Sequence, residues 1–186
     1  GLSNHDGIWH VNGGHFHDNG KDGLVPTGKA YLCNVESYNN AASGIQIYPA
    51  AANAVDSYLR AENCTVYGNV RGFHANVGGA GLKAVMDIHG GRVADNTTGL
   101  FVFNDSGNPA DIVMNAYNVR DGGGNTTLKQ NSGGTLNVKT NNGTPAAGTA
   151  GQNNLVIGRA GTGTMNVSGS AVVNVLNGAQ VMLGMG

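Results

Sequence analysis

His17-Asp18-Asn19-Gly20-Lys21-Asp22-Gly23-Leu24-Val25 sets a polar turn around an Asn, then a Gly, then a short apolar strand. The same figure returns as Tyr38-Asn39-Asn40-Ala41-Ala42-Ser43-Gly44-Ile45-Gln46-Ile47. It returns again as Tyr67-Gly68-Asn69-Val70-Arg71-Gly72-Phe73-His74-Ala75 and as Ala94-Asp95-Asn96-Thr97-Thr98-Gly99-Leu100-Phe101-Val102. The glycines at 23, 44, 72 and 99 are 21, 28 and 27 residues apart. A phrase recurring at such a period signals stacked coils. One coil has too little apolar surface to bury alone, and stacking joins its inward side chains to those of its neighbours.

Between these turns lie short runs in which apolar and polar residues alternate, such as Tyr31-Leu32-Cys33, Tyr58-Leu59-Arg60 and Ala84-Val85-Met86-Asp87-Ile88. Alternation bounded by Gly and Asn reads as strand, and no stretch carries the apolar spacing of an amphipathic helix. Strands returning in parallel after each circuit wind right-handed. The expected fold is therefore all-β: a right-handed single-stranded parallel β-helix, a solenoid of about seven coils. Residues 1–134 carry the Asn/Gly phrase. Residues 135–186 are expected to continue the coils in another phrase, with Leu155–Gly158 and Val181–Gly184 about one coil apart. Pro49–Val55 reads as a corner insertion, and Asn141–Gln152 as a long corner loop or a joint.

Equivalent places predict columns. Leu24, Ile45, Phe73 and Leu100 should form one inward column, and Phe16, Ser37, Val66, Val93 and Val119 another. Asn19, Asn40, Asn69 and Asn96 recur at the turn, where Asn tolerates left-handed geometry and can bond its neighbours as a ladder. The Gly is expected to supply backbone freedom.

Composition narrows the surface chemistry. Charged residues are 11% of the chain, against roughly 25% in an ordinary domain. Net charge is −1, and no Lys/Arg block is present, which argues against nucleic-acid binding through counterion release. The surface is polar through amides and hydroxyls, which suits sugars. No apolar run approaches the roughly 18 residues that span a bilayer. The opening Gly1-Leu2-Ser3-Asn4-His5 has neither the basic start nor the apolar core of a signal peptide, and the chain is expected to be a segment of a longer protein. Cys33 and Cys64 fall on neighbouring coils about two residues out of register, so two buried free thiols are expected rather than a disulfide.

Two parts of the chain carry a resemblance. Residues 15–76, through His17-Asp18-Asn19-Gly20-Lys21-Asp22-Gly23 and Ser37-Tyr38-Asn39-Asn40, resemble the repeats of alginate C5-epimerases and polysaccharide lyases in the pectate-lyase-like superfamily. Residues 153–186, through Gly161-Thr162-Gly163-Thr164-Met165-Asn166-Val167-Ser168-Gly169, resemble autotransporter passenger repeats. The resemblance implies a β-helix that is secreted, surface-displayed or part of a phage particle, with a polysaccharide or cell-surface glycan as partner. If an enzyme, it would be a polysaccharide lyase, epimerase or glycoside hydrolase. The epimerases' Asp-Pro-His-Glu motif has no counterpart in Gly7-Ile8-Trp9-His10-Val11, and Thr27 follows Pro26 where they place a catalytic Asp. The alternative is a non-catalytic structural stalk or adhesin passenger segment.

Outward residues at equivalent places should also stack, about 4.8 Å apart. His15, Glu36, Thr65, Arg92 and Asn118 form one expected column, and His17, Tyr38, Tyr67, Ala94 and Arg120 the next. A lyase needs a neutraliser for the uronate carboxylate and a base for its C5 proton. His17 and Tyr38 are the candidate base and acid, and Arg92 the candidate neutraliser. His15, Glu36, Tyr67, His74 and Phe101 are the candidate substrate contacts, the last two in an outward column with Val25 and Gln46. An exposed Phe beside His would suggest a contact surface, although corner loops often cover such positions. The bland reading of all these columns is a solvated face with ordinary aromatic ladders. His15 and His17 make at most a two-ligand metal site, and no ligand set of defined geometry or cofactor motif is identifiable. The open ends of the stack are expected to meet flanking coils or a second copy.

Overall fold

The computed structural model describes residues 1–4, 7–49, 55–78, 81–104, 112–117, 119–121, 126–130, 135–139, 155–157, 163–167, 172–175 and 181–183. Strands come in threes along the chain. The first six are β1 (Leu2–Asn4), β2 (Ile8–Asn12), β3 (His15–His17), β4 (Leu24–Pro26), β5 (Lys29–Cys33) and β6 (Glu36–Tyr38). Then come β7 (Ser43–Ile47), β8 (Ser57–Glu62), β9 (Thr65–Tyr67), β10 (Arg71–Val77), β11 (Ala84–His89) and β12 (Arg92–Ala94). The rest are β13 (Thr98–Asn104), β14 (Ile112–Tyr117), β15 (Arg120–Asp121), β16 (Thr126–Gln130), β17 (Thr135–Lys139), β18 (Leu155–Ile157), β19 (Gly163–Val167), β20 (Val172–Val175) and β21 (Val181–Leu183).

Along sheets A and B, and in sheet C from β3 to β15, each strand pairs in parallel with the strand three places on in the chain. Sheet A runs β1-β4-β7-β10-β13-β16-β19, sheet B runs β2-β5-β8-β11-β14-β17-β20, and sheet C runs β15-β12-β9-β6-β3. A two-stranded ladder joins β18 to β21 with Leu155 opposite Val181. Among the described residues there is no helix. Stacked parallel sheets of this kind are consistent with a β-helix or solenoid. Residues 50–54, within the expected corner insertion, and 141–152, the expected loop, lie outside the described residues.

The core lies between the sheets. Leu24, Ile45, Phe73 and Leu100 stand in register and are buried, as the repeat predicts. In sheet B, Ala30, Leu59, Met86 and Met114 align, and beside them Leu32, Ala61, Ile88 and Ala116. In the second of these columns large side chains alternate with small ones from strand to strand, as close packing favours. Phe16, Ser37, Val66 and Val93 also align. The fifth expected member does not: Val93 pairs with Asp121, and Val119 lies buried at the corner before β15.

The turn after sheet C works differently from the sequence expectation. The recurring Asn does not take the left-handed backbone; the residue before it does, at Asp18, Asn39, Gly68 and Asp95. That geometry swings the Asn side chain inward. Asn19, Asn40 and Asn69 each donate from Nδ2 to the next Asn Oδ1, at 2.7, 2.9 and 3.0 Å. Backbone N–H groups of the same three residues bond the same oxygens. The recurring Gly is there for space. At Gly44 a Cβ would lie 2.8 Å from Asn69 Nδ2 and 3.1 Å from the Gly72 carbonyl oxygen. Gly23 and Gly72 are equally hemmed in, and none of the three has a positive φ.

Candidate functional site

The outward face of sheet C carries the first candidate residues. Its strands β3, β6, β9 and β12 are three residues long, so only the first and third side chains of each face outward. His15 pairs with Glu36, Glu36 with Thr65, and Thr65 with Arg92. His17, Tyr38, Tyr67 and Ala94 align beside them. The fifth members need correcting. Arg92 pairs with Arg120, so Arg120 belongs to the His15 column and not to the Tyr38 column. Asn118, expected in that place, lies outside the described residues.

Parallel strands in register force like side chains into contact. The His17 and Tyr38 rings stack at 4.7 Å and 4°, and Tyr38 and Tyr67 at 4.7 Å and 7°. His15 meets Tyr38 edge-on at 6.3 Å. Two acids hold the histidines: His15 Nδ1 lies 3.4 Å from Glu36 Oε2, and His17 Nδ1 lies 2.7 Å from Asp18 Oδ2. The Tyr67 hydroxyl is held above its ordinary pKa by desolvation first, then by Tyr38 and Glu36, with Arg92 opposing. The structure thus brings together His15, His17, Glu36, Tyr38 and Tyr67. It sets Arg92 beside Tyr67, three strand intervals from His17, or about 14 Å by strand spacing.

His74 and Phe101 do not form the exposed contact surface expected of them. They do face outward from sheet A and stack at 4.8 Å, but His74 is 3% and Phe101 7% exposed. The Arg71 guanidinium lies 5.2 Å from the Phe101 ring centre. The His74 Nδ1 is 3.1 Å from Ser43 Oγ, while His74 Nε2 and Asn76 Oδ1 are buried without a hydrogen bond. Burial, helped by the Arg71 charge, pushes the His74 pKa down to about 3. A side chain so enclosed is not placed to meet a polymer.

The outward face of sheet B holds a group that sequence reasoning missed. His10, Tyr31, Arg60, Asp87 and Asn115 align, and beside them Asn12, Cys33, Glu62, His89 and Tyr117. The left-handed corner Gly13, Asn34, Asn63 and Gly90 joins this face to sheet C. A cavity of ≈ 270 Å³ opens here, lined by His10, Asn12, Tyr31, Cys33, Arg60 and Glu62 with Val11 and Leu32 at its base. Tyr31 stacks on His10 at 5.0 Å and meets Tyr58 edge-on at 6.0 Å. Tyr58 donates its hydroxyl to Asp87 at 3.0 Å, and burial with the Asp87 charge pushes its pKa up to about 12. The signal for this face was present, since His10 to Tyr31 and Tyr31 to Arg60 are 21 and 29 residues, the spacing of neighbouring coils.

Both cysteines are free. Cys33 stands opposite Glu62 and turns outward, whereas Cys64 is buried, and burial pushes its thiol up to about 11. Among the described residues no group of three or more His, Cys, Asp or Glu is placed to hold a metal ion, and no helix is long and apolar enough to cross a membrane.

No family model matches the chain, and neither the curated proteins nor the solved structures gave a significant match.

Proposed function

We propose that the chain is a right-handed, single-stranded parallel β-helix of about seven coils, of the pectate-lyase-like kind, that binds polysaccharide on its outward columns. The observation that carries the reading is the aligned ladder His17, Tyr38 and Tyr67 with its 4.7 Å repeat. Stacked rings turn their edges, hydroxyls and imidazole nitrogens to solvent at every strand. A linear glycan along the stacking axis meets a hydrogen-bonding group at each step, with Glu36, Thr65 and Arg92 alongside. A secreted, cell-surface or phage-particle setting accompanies such a partner.

Binding ranks ahead of catalysis. A lyase, epimerase or glycoside hydrolase must gather its groups around one sugar unit, with donors and acceptors in hydrogen-bond reach. His17 and Tyr38 lie on adjacent strands with ring centres 4.7 Å apart and can face one sugar unit; Arg92, about 14 Å from His17 by strand spacing, does not join them on one uronate. Affinity electrophoresis against alginate, pectate and neutral glycans tests the proposal, with retardation expected and relieved by Tyr38→Ala. Absorbance of unsaturated products from the uronate polymers tests the catalytic version.

One observation favours a structural stalk or adhesin passenger segment instead. The ring faces in the ladder are turned toward one another, which strengthens stacking and leaves fewer faces for sugars. Absence of retardation across the panel would select that reading. In either case the edge strands β1, β2 and β3, with Leu2 and Ile8 exposed, offer a place for a flanking coil or second copy.

A further inference from the structure

We infer that the cavity on sheet B is a subsite for one neutral sugar ring bearing adjacent hydroxyls. This rests on the polysaccharide reading above but places the ligand on a different face and gives it a different charge.

Size is the first argument. At ≈ 270 Å³ the cavity falls just below the roughly 300–1,000 Å³ of sites for drug-sized ligands, so it suits a single ring. Charge is the second. Arg60 and Glu62 form a pair within the lining, at 2.6 Å from Nη2 to Oε1. A lone guanidinium would select a carboxylate or phosphate; here its charge is matched, and the Glu62 carboxylate repels a uronate. Hydrogen-bond geometry is the third. Arg60 spends Nε and Nη2 on the one oxygen Oε1, at 2.7 and 2.6 Å. Oε2 of the same carboxylate therefore stands as an acceptor beside the remaining guanidinium donors. Neighbouring sugar hydroxyls, each able to donate and accept, fit that adjacent pair.

The walls are braced before any ligand arrives. Tyr31 is held between His10 and Tyr58, and Tyr58 is tied to Asp87. Pre-organisation of this kind reduces the ordering cost of binding.

Cys33 supplies a local reporter, because it lines the cavity while Cys64 is buried. The rate of Cys33 alkylation by iodoacetamide, read by mass spectrometry, is measured with cellohexaose, mannohexaose or hexagalacturonate. Slowing by a neutral hexasaccharide and not by hexagalacturonate is the expected result. Glu62→Gln should weaken neutral-sugar protection about tenfold, as for one charge-assisted hydrogen bond, and should let hexagalacturonate protect by removing the carboxylate bonded to Arg60 and leaving only Asp87, on the next strand, as its counter-charge. Arg60 and Glu62 are about half exposed, so an unchanged melting profile is expected to confirm that the variant folds. Glycan binding that leaves Cys33 alkylation unaltered and is lost in Tyr38→Ala would overturn this subsite while sustaining the sheet C reading. Equal protection of the unsubstituted chain by uronate would overturn the neutral preference. No binding of any glycan would overturn both.

Discussion

Asn40 gives both its backbone N–H and its side-chain Nδ2 to the single oxygen Oδ1 of Asn69, each at 2.9 Å. The Asn69 amide passes the pattern on, donating to Asn96 Oδ1 and to the Ser37 and Tyr67 carbonyls. Both residues are buried, so neither can exchange these bonds for water. Asn69→Ala removes an acceptor shared by two buried donors and a donor shared by three acceptors. Each buried group left unsatisfied costs about 1–3 kcal/mol, so a loss of roughly 3–5 kcal/mol is expected in urea unfolding. Asn39, one residue before Asn40 but exposed with a left-handed backbone, should accept Gly at little cost.

Two glycines separate space from backbone freedom. A Cβ at Gly44 meets the Asn69 amide and the Gly72 carbonyl, neither of which can retreat without breaking the ladder or the sheet. At Gly20 a Cβ meets nothing within 4 Å. Neither backbone is left-handed. Gly44→Ala is therefore expected to cost about 2–3 kcal/mol, as for overpacking elsewhere, and Gly20→Ala to stay within about 0.5 kcal/mol. Thermal melts of the two variants decide it; equal effects would mean that lack of space at Gly44 is not what excludes a side chain there.

The sequence revealed the stacking because one phrase repeats the whole chemistry of a corner. Leu24, Ile45, Phe73 and Leu100 could be aligned by counting from the Gly, and the register agrees. The same counting failed at Arg120. Tyr117-Asn118-Val119 continues the alternation of β14, and period two by itself does not show where a strand turns a corner. Counting from His89 would have helped, since Arg92 follows it by three residues as Arg120 follows Tyr117. Alternation also placed His74 outward correctly without revealing that the outward face of sheet A is covered there. The sheet B cavity is not legible in Gly7–Val11 taken as an isolated strand. His10 gains meaning only when Tyr31 is set beside it.

His74 should make the protein acid-sensitive. Its folded pKa is lowered to about 3 by burial and then by Arg71, while an unfolded His titrates near 6.5. Between these values the unfolded chain binds a proton that the folded chain does not. Stability therefore falls as pH drops below about 6.5, by roughly 1.4 kcal/mol per unit, and levels off near the folded pKa. Urea midpoints between pH 7 and pH 4 would show the slope. His74→Phe keeps a ring beside Phe101 and removes the titration, so its curve should lose that component even if its stability at pH 7 is lower.

Tyr58 gives an alkaline counterpart. Its hydroxyl donates to Asp87 Oδ2 at 3.0 Å, and Asp87 also accepts from Asn115. Ionising Tyr58 would remove that donated proton and set a phenolate against a carboxylate, which is why burial and Asp87 together raise its pKa to about 12. An unfolded Tyr titrates near 10. Above pH 10 the unfolded chain releases a proton that the folded chain retains, so stability should fall from there toward the folded pKa. Tyr58→Phe abolishes this contribution and leaves Asp87 without one of its donors, costing about 1–3 kcal/mol at neutral pH. Ultraviolet titration of the folded protein should show a late-ionising phenol that is missing in Tyr58→Phe. If every phenol titrated near 10, Tyr58 would not be tied to Asp87, and the brace that holds Tyr31 against the cavity would be gone with it.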